Sequence, residues 1–256
     1  MIKTEIFNHY SKILDRIIEG SNFFKNYFQY PFYIDEDLNW EDMEDYPYFY
    51  ETNVSMHNGC TRGCLIDENY DWVVKFDLPE AEKHGTCGME LDTYQSALVF
   101  GLDKYFTEPI YLGIYTKKIN FFPHQEVYCN IEYTDLFEEE NFTESLEIAE
   151  DLGKITRKTV SIELPLYAYP RAVRHDFFNC DEKEDSIRSF VSNSHSPLVE
   201  RDERIGYAFV EWYGEEEFQR LSDFLEKHNV NDLHTGNIME LNGCLVLSDY
   251  AGYCED

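Results

Sequence analysis

The side chains best suited to chemistry lie near the end of the sequence, where Asn231 to Gly252 reads Asn-Asp-Leu-His-Thr-Gly-Asn-Ile-Met-Glu-Leu-Asn-Gly-Cys-Leu-Val-Leu-Ser-Asp-Tyr-Ala-Gly. Asp232 and Asp249 supply carboxylates and Asn237 a carboxamide. Between the last two stands Asn242-Gly243, the pair that most readily gives the positive φ angles of a type I′ turn, so a short hairpin is expected. A hairpin brings its two ends together. It should therefore set Asn237 beside Asp249, with Asp232 one tight loop away. Oxygen ligands in that arrangement suit a hard divalent cation, with a second carboxylate left to orient a nucleophile.

Asp-Leu-His-Thr-Gly-Asn, a short hairpin and then Asp-Tyr-Ala resembles the catalytic and metal-binding loops of the protein-kinase-like superfamily. With His and Gly inside the loop it is most similar to the small-molecule kinases of the aminoglycoside phosphotransferase branch and to short kinase-like proteins of phages. The resemblance implies that Asp232 is the catalytic base, Asn237 a metal ligand and Asp249 the principal metal ligand, with ATP and Mg²⁺ as cofactors. Val73-Val74-Lys75 resembles the strand that offers a lysine to the nucleotide phosphates. The implied partner of Lys75 is Glu90, with Glu82 as the alternative. The implied phosphate loop is His57 to Gly63, where Gly59 and Gly63 stand in place of Gly-x-Gly-x-x-Gly. Ile131-Glu132-Tyr133 takes the place of the adenine-binding hinge, through backbone groups. Departures are Val230 where many relatives have His, Ala251 where the metal loop usually has Gly, and a chain with seven residues after Asp249. This last departure implies a second lobe cut short, without the usual activation segment or peptide-docking surface.

The elements that must position these groups follow from periodicity. Ile6, Tyr10, Ile13, Leu14, Ile17 and Ile18 recur at helical spacing, which predicts an amphipathic first helix ending near Gly20. Short β-like runs at Tyr50 to Met56, Cys64 to Ile66 and Trp72 to Phe76 are separated by turn-rich segments. Tyr94, Ala97, Leu98, Gly101, Leu102 and Tyr105 mark one face of a helix from about Met89 to Phe106. Ile110 to Tyr115 and Glu126 to Tyr133 are the remaining expected strands. Helices are expected around Ser145 to Leu152 and Asp181 to Val191, and an extended piece from Thr159 to Tyr167. A further helix opens at Glu215-Glu216-Glu217 and buries Phe218, Leu221, Phe224 and Leu225.

The fold class expected is α+β. With the resemblance, it is a two-lobed kinase-like fold: residues 1–48 form a helix and an acidic wrap, 49–135 a lobe of five antiparallel strands and one helix, and 136–256 a mostly helical, minimal second lobe.

Composition bounds the partners. The 256 residues are 43% hydrophobic and 16% aromatic, enough for a packed core, while 51 acidic against 21 basic residues give a formal charge of −30. Such a charge repels nucleic acid, anionic membrane and free ATP at long range and steers a basic partner inward. Asp35 to Glu51 holds eight acids and no base, and Glu132 to Asp151 nine acids and no base. Seven cysteines with no Cys-x-x-Cys pair, and no signal peptide, fit buried thiols in a cytoplasmic protein. No apolar run approaches the ~20 residues of a membrane span. His228 and His234 have no cysteine at zinc spacing near them, so His234 is expected to orient its loop by a hydrogen bond.

Two classes of function remain. One is an ATP- and Mg²⁺-dependent phosphotransferase acting on an unspecified acceptor, which the set Lys75, Asp232, Asn237 and Asp249 favours. The other is a pseudokinase, or an acidic decoy that engages a basic host protein without catalysis, which the charge and the short second lobe favour.

Overall fold

The structure is a computed structural model that describes residues 2–20, 52–58, 62–77, 85–121, 129–130, 139–177 and 185–251. Among these residues the fold is α+β. Helix α1 (Ile2–Gly20) precedes strands β1 (Val54–Asn58), β2 (Arg62–Asp67) and β3 (Trp72–Asp77). Helix α2 (Cys87–Phe100), a 3₁₀ turn (Asp103–Tyr105), β4 (Ile110–Phe121), α3 (Glu139–Asp151) and β5 (Lys158–Pro170) follow. The five strands form one antiparallel sheet in the order β1-β2-β3-β5-β4.

The sheet corrects one expectation. Its last strand in sequence is β5, which covers the extended piece foreseen at Thr159 to Tyr167. The strand expected over 126–133 lies mostly outside the described residues, and its two described members, Cys129 and Asn130, are helical. Among the described residues the last strand of the sheet in sequence therefore ends at Pro170. The expected hinge at Glu132 and Tyr133 lies outside the described set, as does the acidic block from Asp35 to Glu51.

The chain divides into two compact units, 1–58 with 65–69 and 112–166, and 59–64 with 70–111 and 167–256. In the first unit, α1 buries Ile6, Tyr10, Ile13, Leu14, Ile17 and Ile18, the stripe its periodicity marks. Polar contacts lock its other positions: His9 Nε2 lies 2.9 Å from Asp67, and Asp15 accepts from Lys117 at 2.8 Å and from the Tyr115 hydroxyl at 2.9 Å.

The second unit holds a continuous apolar core. Helices α4 (Asp185–Ser192), α5 (Pro197–Glu200), α6 (Glu203–Tyr213) and α7 (Glu215–Lys227) supply much of it. In α7 the buried face is Phe218, Leu221, Phe224 and Leu225, with three glutamates in the first turn, where the helix dipole favours negative charge. After a second 3₁₀ turn (Thr235–Asn237), strands β7 (Ile238–Leu241) and β8 (Cys244–Leu247) pair from Ile238–Leu247 to Leu241–Cys244. Their turn has φ of 54° at Asn242 and 75° at Gly243, the sign pattern of type I′. A two-residue strand β6 (Val173–Arg174) adds to β7. Among the described residues no helix is long and apolar enough to cross a membrane.

Helix α2 differs from its expected form. It begins at Cys87, capped by the Thr86 hydroxyl accepting from Met89 N at 3.1 Å, and stops at Gly101, whose φ of 67° a side chain would resist. Its buried residues are Cys87, Glu90 and Ala97, whereas Leu98, placed on the buried face by apolar spacing, is 49% exposed. A fully buried acid in this row marks a polar site beneath the helix.

Candidate functional site

Four charged side chains of the second unit, that acid among them, meet here. Lys75 comes from β3, Glu90 from the first turn of α2, Arg62 from the first position of β2 and Asp249 from just past β8. The elements are held in line locally: Asp77, at the end of β3, accepts from the Cys87 amide at 2.7 Å and so ties strand to helix.

Glu90 is the hub. Its Oε1 lies 2.9 Å from Arg62 Nη1 and 3.5 Å from Lys75 Nζ, and accepts from the Tyr250 amide at 3.2 Å. Its other oxygen accepts from the Tyr169 hydroxyl. The pair expected between Lys75 and Glu90 is thus present; the alternative acid, Glu82, lies outside the described residues. Lys75 also donates to the Ser248 carbonyl at 2.7 Å and sits 4.5 Å from the centre of the Tyr169 ring, a cation–π contact. The second nitrogen of the Arg62 fork bonds Asp249 Oδ1, so one guanidinium joins Glu90 to Asp249.

Burial and charge oppose each other here. Burial pushes the Glu90 pKa up and outweighs the downward pull of Lys75 and Arg62. For Asp249 burial also pushes up, but Lys75 and Arg62 prevail and hold the carboxyl below its usual range. Burial favours neutral Lys75 and Arg62, yet Glu90 and Asp249 outweigh it and raise both. Neighbouring Cys64 is pushed up to about 11, chiefly by burial, which keeps its thiol protonated. Cys87 is buried as expected of the thiols, whereas Cys129 and Cys244 are exposed.

The hairpin does what its sequence foretells. Asn237 ends the 3₁₀ turn, and its carbonyl accepts from the Ser248 amide at 2.9 Å, one residue short of Asp249. Its side-chain nitrogen donates to the Asp232 carbonyl at 2.9 Å, so Asn237 is tied to the backbone at both Asp232 and Ser248. His234 Nδ1 accepts from the Gly236 amide at 3.0 Å, the orienting role expected of it. Asp232 is paired with Arg201, Nη1 to Oδ1 at 2.6 Å.

No protein-family model matches this sequence, and no curated protein matches it.

Of the groups singled out in the sequence, Lys75, Glu90 and Asp249 therefore converge, and Asp232 and Asn237 share a second hydrogen-bonded loop. Gly59 lies outside the described residues, and Gly63 lies within β2 rather than in a loop. Among the described residues no three His, Cys, Asp or Glu side chains are placed to hold a metal ion by themselves. Any cation here would need donors beyond the acids. Arg62, Tyr169, Tyr250 and Arg201 escape a reading of sequence spacing. An arginine directly before Gly63 is the one local signal that a cation stands at the start of β2.

Proposed function

We propose that this protein is an ATP- and Mg²⁺-dependent phosphotransferase with a two-lobed, kinase-like fold, acting in the cytoplasm on a hydroxyl-bearing acceptor. The observation that carries the reading is Lys75: an ammonium fixed between a buried helix glutamate and the backbone of the loop that presents Asp249. A lysine so held is positioned as a point charge for nucleotide phosphates, while Glu90 keeps it oriented. Asp249 and Asn237 are the residues that would hold Mg²⁺. Asp249 is partly exposed and its pKa is lowered, so it is anionic at neutral pH. Asn237 spends its amide nitrogen on the Asp232 carbonyl, which leaves the amide oxygen as its ligating end. Two protein oxygens completed by phosphate and water suit Mg²⁺, whose bound charge would neutralise phosphate oxygens. Asp232 would orient and deprotonate the acceptor hydroxyl.

The test is thermal. MgATP at about a hundredfold excess over its dissociation constant should add ~2.7 kcal/mol, a melting shift of roughly 5 to 10 °C. Asp249→Asn should remove most of that shift. If the wild type shows none with any divalent metal, the phosphotransferase reading fails.

A second reading rests on the arginines: Asp249 and Asp232 each already carry a guanidinium partner. A pseudokinase or acidic decoy that holds a basic protein by its surface charge needs no open metal site. Such binding would weaken steeply with salt, and neutralising the acids between Asp35 and Glu51 would reduce it.

A further inference from the structure

We propose that Arg62 is a built-in counter-cation that pairs with Asp249 and must leave it before a divalent cation binds there. The inference rests on the phosphotransferase reading and adds a control step to the same site. It follows from how unequally the two acids are served. Glu90 has no exposed side-chain surface and has Lys75, Tyr169 and the Tyr250 amide as partners besides Arg62. Asp249 is 36% exposed and takes its ion pair from Arg62. Of the two contacts the guanidinium makes, the one to Asp249 is therefore the one that can be given up.

The chemistry of the two cations sets up a competition. A planar guanidinium presents donors on separate nitrogens and is weakly hydrated, so it can bridge two carboxyl groups in a site where its own side chain is 12% exposed. A hard divalent ion needs an open carboxylate and keeps several waters, which the bridged arrangement does not offer. Arg62 and the metal also repel when they share a carboxylate. Phosphate oxygens are the natural next partner for a guanidinium displaced from Asp249. Metal alone should therefore bind poorly and metal with nucleotide well.

The test uses Mn²⁺ binding to the full chain, read without nucleotide from the loss of the free-ion electron paramagnetic resonance signal and, with ATP, from the Mn²⁺ and ATP retained with the protein in equilibrium dialysis, since ATP alone also removes the free-ion signal. Without nucleotide, Arg62→Gln should bind Mn²⁺ at least tenfold more tightly than wild type, and adding Asp249→Asn should abolish that gain. Arg62→Lys keeps a positive charge beside Glu90 but lacks the fork that spans both acids, so it should tighten Mn²⁺ about threefold. It decides the matter should the glutamine variant fail to fold. Unchanged or weaker Mn²⁺ binding in the folded variants, with wild type binding Mn²⁺ in the presence of ATP, overturns the counter-cation role and leaves the phosphotransferase reading standing. No Mn²⁺ binding by any variant with or without ATP defeats both.

Discussion

Lys75 Nζ donates to the Ser248 carbonyl at 2.7 Å, a bond across 173 residues of sequence. It fixes the distance between β3 and the loop that carries Asp249, so the lysine serves as a strut as well as a charge.

Lys75→Met should for that reason cost about 3 kcal/mol in urea unfolding, because it leaves Glu90 with one cation fewer in a buried site. The double variant with Glu90→Gln should cost less than the sum of the singles by over ~1 kcal/mol, since the partners are in contact. Strict additivity would show that the pair is not coupled.

Asp232→Asn should keep the melting shift with MgATP yet lose roughly a hundredfold or more in phosphate transfer, as a base acting on the acceptor contributes little to holding ATP. Arg201→Ala, by contrast, removes a half-exposed partner and should change stability by less than ~1 kcal/mol. Loss of the melting shift in Asp232→Asn would place Asp232 among the nucleotide-binding groups instead.

Gly206 in α6 offers a contest of sign. Alanine is favoured over glycine inside a helix by ~1 kcal/mol. A Cβ there would lie 2.3 Å from Val199 Cγ1 and 2.9 Å from Val191 Cγ1, closer than side chains approach. Overpacking of this kind costs roughly 1 to 3 kcal/mol, and β-branched valines have little rotamer freedom to yield. Gly206→Ala should therefore destabilise by about 1 kcal/mol net in urea titration. A stabilised variant would mean that α4, α5 and α6 separate easily.

Glu217 should titrate far below an ordinary glutamate. Its hydrogen bonds from Lys104, at 2.8 Å, and from the Tyr105 hydroxyl hold its pKa down to about 2, against roughly 4.3 in an unfolded chain. A carboxyl depressed on folding contributes stability that is fully present above ~4.3 and is lost as pH falls through about 2. Carbon-detected titration of the Glu217 carboxyl should show this midpoint, and Lys104→Met should move it upward. A midpoint near 4 in the wild type would contradict the contact.

The local parts of this protein were legible in its sequence. Asn242-Gly243 specifies its own backbone angles, α1 and α7 state their buried faces in their spacing, and Lys75 is flanked by strand-forming neighbours. Each of these is a short-range property, decided by sterics and amphipathicity within a few residues. Tertiary structure alone decided that β5 joins the sheet between β3 and β4, because strand pairing is set by partners distant along the chain. It alone decided that α2 exposes Leu98, whereas the inward place of Glu90 was implied only by the resemblance and not by the spacing of the helix. Apolar periodicity cannot foresee an acid turned inward to meet cations from β2 and β3. Arg62 shows the same limit most plainly: its bonds to Glu90 and Asp249 span 28 and 187 residues, and only folding brings one guanidinium between two carboxyl groups so far apart in sequence.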